Sequence, residues 1–133
     1  MLKSKVGDSF VYIMKEMNND DSHISFYKIG VATHGKTDEK IKHRSKYVDG
    51  LKSLDGQDVP IPVIRRLDKI KVGNPRTIEV LKVFKYENSK ISLSIEKRIH
   101  TKLSKNEASH PEWFRMTDVD VKELIELLME DKI

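Results

Sequence analysis

Two short apolar runs, Phe10-Val11-Tyr12-Ile13-Met14 and Phe26-Tyr27-Lys28-Ile29-Gly30-Val31, constrain this chain more than anything else in it. Both are rich in β-branched and aromatic residues. The polar segment between them, Lys15 to Ser25, carries Asn18-Asn19-Asp20-Asp21, a cluster suited to reversing the chain. The pattern predicts an antiparallel hairpin that sets two tyrosine-bearing strands side by side.

Further along, residues 38 to 54 have helical spacing, with Ile41, Tyr47, Val48, Leu51 and Leu54 toward a core and Lys40, Lys42, His43, Arg44 and Lys46 toward solvent. Gly50 weakens this helix, and Asp55 to Pro60 ends it. A second helix follows, with Val63, Ile64, Leu67 and Ile70 on one face. It stops at Val72-Gly73-Asn74-Pro75, since Gly suits a helix C-cap and Pro cannot continue the helix. Residues 77 to 86 read as a strand and 93 to 103 as a helix with Ile95, Ile99 and Leu103 spaced for burial. On that helix Glu96 and His100 stand one turn apart on one face. Glu112-Trp113-Phe114 reads as a closing strand. Thr117 can cap a last helix, whose apolar stripe is Val121, Leu124, Ile125 and Leu128.

At 133 residues the chain is expected to form one domain. It lacks Cys, which excludes disulfides and thiolate metal sites, and it has no apolar run long enough for a membrane helix. Met1 to Gly7 is polar with no apolar run after it, so no secretion signal is expected and a cytoplasmic location is the default. A formal charge of +4 is permissive for a polyanionic partner.

Taken in order, these pieces resemble the GIY-YIG nuclease superfamily, and most closely its phage and bacterial, T5 phage orf172-like subgroup that carries YKIG. Val11-Tyr12-Ile13 stands at the first motif and Tyr27-Lys28-Ile29-Gly30 at the second. Arg66 precedes the turn Gly73-Asn74-Pro75-Arg76, Glu96 is followed by His100, and Glu112-Trp113-Phe114 comes last. The likeness implies an α+β fold, a small, mostly antiparallel three-stranded sheet flanked by helices, with residues 34–60 as an insertion. It also implies a metal-dependent DNA endonuclease using one Mg²⁺ or Mn²⁺ ion.

In that reading Glu96 is the metal ligand, as one carboxylate suits a hard ion that keeps most of its waters. Arg66 would grip phosphate with a forked pair of hydrogen bonds. The proton acceptor is open among Tyr12, Lys28 and Tyr27, because Lys28 stands where most relatives have Tyr. Strand alternation lets only one of Tyr27 and Lys28 face the site. His100 is a second proton carrier or an orienter of Glu96. Lys42, His43, Arg44 and Lys46, with Arg76, are the expected DNA contacts. The Asn that closes many such sites has no clear counterpart; Asn106 lies nearest. A single active site cuts one strand, so cutting both would need a homodimer or two successive events. The alternative is a degenerate nuclease fold that binds DNA without cleaving it.

Overall fold

The computed structural model describes residues 4–17, 24–41, 50–74, 76–106 and 112–133. Four strands form one antiparallel sheet: β1 (Ser9–Met17), β2 (Ile24–Thr33), β3 (Thr77–Tyr86) and β4 (Trp113–Thr117), in the order β3-β1-β2-β4. The class is the expected α+β, with one strand more than the expected three. The extra member is the Glu-aromatic-Phe segment, which pairs with β2 from Ile24↔Thr117 to Lys28↔Trp113 and so joins the sheet.

Alternation along β1 divides the core. Val11 and Ile13 face the helices α3 (Ser89–Lys102) and α4 (Asp118–Met129), packing with Tyr27, Ile29, Ile95, Ile99, Phe114 and Leu124. Phe10, Tyr12 and Met14 face helix α2 (Ile61–Lys71), whose Val63, Ile64 and Leu67 meet Ile78, Val80 and Val83 of β3. The sheet is thus a middle layer, buried on both faces. Pro62 starts α2 where its missing N–H is harmless, and Asn88 caps α3 by accepting from Ile91 N. That cap starts α3 four residues before the expected Leu93. Thr117 closes a full capping box with Asp120 at the start of α4.

The expected helix over 38–54 is corrected. Helix α1 spans Lys36–Ile41, and residues 50–59 form a loop bridged from Lys52 to Asp58. Gly50 takes a left-handed φ of 66°, incompatible with continuing a helix, and Leu51 and Leu54 are exposed rather than in the core. The expected core residues Tyr47 and Val48 and the basic residues Lys42, His43, Arg44 and Lys46 lie outside the described residues, as does the turn at Asn18 to Asp21.

The loop instead covers the outer edge of the sheet. Leu54 N donates to Val80 O at 2.9 Å, and the Gln57 side chain both accepts from Val83 N (3.0 Å) and donates to Val83 O (2.9 Å). An amide side chain here stands in for a missing strand. The edge at β2 is treated differently, and that difference positions the site.

Candidate active site

β4 stops pairing at Lys28, so the second half of β2 runs on as a sheet edge. Ile29 N donates to Glu112 O at 3.1 Å, and Ile29 O accepts from His100 Nε2 at 3.0 Å. Ile29 therefore turns its main-chain groups away from β1. By alternation Val31 and Thr33 do the same. No described residue pairs with the outward main chain of Val31.

A cavity of about 350 Å³ opens over this bare edge, lined by Tyr12, Val31, Thr33, Arg65, Arg66, Leu93, Glu96 and Glu112. Its polar groups come from separate elements. Tyr12 belongs to β1, one strand inside the edge, and reaches the cavity because its cross-strand partner is Gly30. A Cβ at Gly30 would stand 2.7 Å from Tyr12 Cζ and closer to its hydroxyl, so only glycine leaves room for the ring. Arg65 and Arg66 enter from α2, Glu96 from α3, and Glu112 from the residue before β4.

The two arginines are held differently. Arg65 makes a forked ion pair with Asp38 of α1, Nε to Oδ1 at 2.9 Å and Nη2 to Oδ2 at 3.3 Å, and that carboxylate is fully buried. Arg66 makes no ion pair with any described residue and is exposed, leaving its fork available to an anion.

Burial is the main reason that the Glu96 carboxyl titrates above its ordinary value; Glu112 adds to the rise, while His100, Lys28 and Arg66 oppose it. Burial likewise lifts the Tyr12 phenol well above its usual range, with Arg66 pulling the other way and Glu112 and Glu96 reinforcing it. Tyr12 is therefore a hydrogen-bond donor at neutral pH. Glu112 also receives Lys28 Nζ at 2.7 Å, and Lys28 lies 5.9 Å from the centre of the Trp113 ring.

Of the residues expected from sequence, the fold brings Tyr12, Arg66 and Glu96 onto one cavity, with Lys28 beside it through Glu112. Tyr27 goes to the opposite face, buried among α3 and α4, with its hydroxyl 3.5 Å from Asp118. His100 stands edge-on to Phe114 and donates to Ile29, since a carbonyl can only accept. Asn106 sits in a short 3₁₀ turn, donating to Arg115 O. Arg76 pairs with Glu16 at the far end of β1, away from the cavity.

Two charged lining residues, Arg65 and Glu112, lie outside the sequence expectation. Arg65 stands beside the expected Arg66, and nothing in the local pattern tells which of two adjacent arginines carries a buried partner. Glu112 enters the sequence reading only as the first residue of a closing strand, whereas the fold puts its carboxylate on the cavity.

Among the described residues no group of three or more His, Asp or Glu converges as a metal cage. Of the two carboxylates on the cavity, Glu112 is engaged by Lys28, and Glu96 has the chemistry to hold a hard divalent ion that keeps most of its water. Among the same residues no helix is long and apolar enough to cross a membrane.

No curated protein and no solved structure matches the chain. A family model does: the T5orf172 domain matches residues 9–129, from the first strand to the end of α4, so the chain belongs to this nuclease-associated domain family.

Proposed function

We propose that the protein is a metal-dependent DNA endonuclease of the GIY-YIG type, hydrolysing phosphodiester bonds at the cavity over the β2 edge. The observation that carries this is the meeting of Arg66, Glu96 and Tyr12, from three elements, on one cavity open to solvent. Each supplies what phosphodiester hydrolysis needs. The Arg66 fork complements two phosphate oxygens, and the Tyr12 hydroxyl can donate to a third where negative charge grows. Glu96 would hold the divalent ion, which when bound supplies positive charge to the phosphate and help for the leaving oxygen. The outward N–H of Val31 adds a donor that needs no side-chain reorganisation.

Nicking of supercoiled plasmid in Mg²⁺ or Mn²⁺, comparing wild type with Glu96→Ala and Arg66→Ala, tests the reading. Metal-dependent nicking that disappears in both variants is the expected result. A wild type that binds plasmid and leaves it intact across metals would instead make this a DNA-binding module on a nuclease fold.

A further inference from the structure

The groups around the cavity differ in what they can do with a proton. Arg65 and Arg66 only donate. The Thr33 hydroxyl is engaged with Ser9 Oγ at 2.9 Å. Tyr12 is buried against Gly30 and keeps its proton. Lys28, with a side chain only 14% exposed, points its ammonium into a 2.7 Å contact with Glu112 Oε2. An ammonium so placed is a donor to that carboxylate. His100 is turned toward the Ile29 carbonyl and does not line the cavity. Among the described residues that line the cavity, the acceptors that remain are the carboxylates of Glu96, already assigned to the ion, and Glu112.

We propose that Glu112 is the general base of the cleavage, taking a proton from the attacking water on the oxygen that Lys28 leaves open, with Lys28 as the residue that positions it. This rests on the nuclease reading above and names the proton acceptor within it. In the step, the water O–H bond breaks and its proton moves to the Glu112 carboxylate while the water oxygen bonds to phosphorus. The P–O bond to the sugar breaks, and the leaving oxygen takes a proton from solvent. Glu112 then returns its proton to solvent, so the site is restored without any other reactant.

Three features support a built position for this carboxylate. Glu112 has a φ of 71°, a left-handed conformation that a side chain adopts only where the surroundings hold it there. Its own carbonyl supplies part of that hold, by accepting from Ile29 N on the edge strand. Lys28 is fixed in turn between Glu112 and the Trp113 ring, on the side of β2 that also carries Gly30. Strain in the backbone, an anchored main chain and a dedicated counter-ion thus converge on one side chain beside Arg66 and Glu96.

The test compares wild type, Glu112→Gln, Glu112→Asp and Lys28→Arg for nicking rate, plasmid affinity and thermal midpoint. Glu112→Gln should lower the nicking rate by about 10²–10⁴-fold while DNA affinity stays unchanged, and Glu112→Asp should recover a measurable part of the loss. Lys28→Arg is the discriminating variant, because a guanidinium can hold Glu112 but cannot give up a proton at working pH; it should keep nicking within about tenfold of wild type. Nicking by Glu112→Gln close to the wild-type rate would overturn the proposal and leave the nuclease reading intact. So would Glu112→Asp doing no better than Glu112→Gln. Loss in Lys28→Arg as deep as in Glu112→Gln would move the base to Lys28. A wild type that never nicks would remove both readings together.

Discussion

Tyr12 and Gly30 face each other directly on neighbouring strands, and the space where Gly30 lacks a side chain is filled by the Tyr12 ring. This is how a residue one strand inside the sheet presents its hydroxyl at the sheet edge. Gly30→Ala must push the ring or the strand aside. Forced overpacking of this kind costs about 1–3 kcal/mol. The thermal midpoint should drop and nicking should fall with it, because the phenol leaves the cavity. A Gly30→Ala protein with normal melting and normal nicking would show that the ring is not seated there.

Arg65 and Arg66 are sequence neighbours with opposite expected consequences. Arg65→Ala strands the fully buried Asp38 carboxylate, leaving it, among the described residues, the Gly35 N–H at 2.8 Å. Removing one partner of a buried pair typically destabilises by about 3–5 kcal/mol, so denaturant unfolding should register a large shift. Arg66→Ala touches an exposed side chain, and stability should change by less than about 0.5 kcal/mol. Nicking should nonetheless be lost in Arg66→Ala. Equal destabilisation of the two variants would contradict the assignment of the buried pair to Arg65.

Glu96 gives a pH-dependent signature in the metal-free protein. Its carboxyl is held above the ordinary 4.5, chiefly by burial, so the folded state binds its proton more tightly than the unfolded state. Stability then falls as pH rises from about 4.5 through the raised folded-state value. Glu96→Gln removes the burden of a half-buried charge. In chelator, the variant should melt at or above the wild-type temperature at neutral pH, and the difference should vanish below pH 4. A variant less stable at neutral pH would mean that His100, Lys28 and Arg66 together outweigh burial.

Much of this arrangement was legible in the sequence because it rests on local pattern. The β-branched runs around Tyr12 and Lys28, the apolar spacing at Val63, Ile64 and Leu67, and the Thr117 cap each declare themselves within a few residues. What escaped depends on partners distant along the chain. Leu51 and Leu54 fit a helical stripe, yet the left-handed Gly50 and the pairing of Gln57 with Val83 put them in an edge-covering loop. The roles of Arg65 and Glu112 follow from Asp38 and Lys28, 27 and 84 residues away, and no periodicity reports a contact at that separation. Tyr27 and Lys28 show the reverse case: alternation alone required them to face apart, and they do, Tyr27 into the core and Lys28 toward Glu112.

The basic residues Lys42, Arg44 and Lys46 follow α1 in the chain, within the connection between β2 and α2, which carry the cavity residues Thr33 and Arg66. DNA passing over Arg66 would be expected to extend along this connection. Each phosphate that such a side chain neutralises releases counterions and adds about −0.9 to the slope of log affinity against log salt for duplex DNA. Replacing all three by Ala should therefore weaken plasmid binding at low salt and flatten that slope by up to about 2.7. Because the three are expected to grip DNA phosphates and not to act at the reacting one, nicking at saturating DNA should persist while the affinity falls. An unchanged slope would remove this segment from the DNA interface, and loss of nicking at saturation would place one of the three at the reacting phosphate instead.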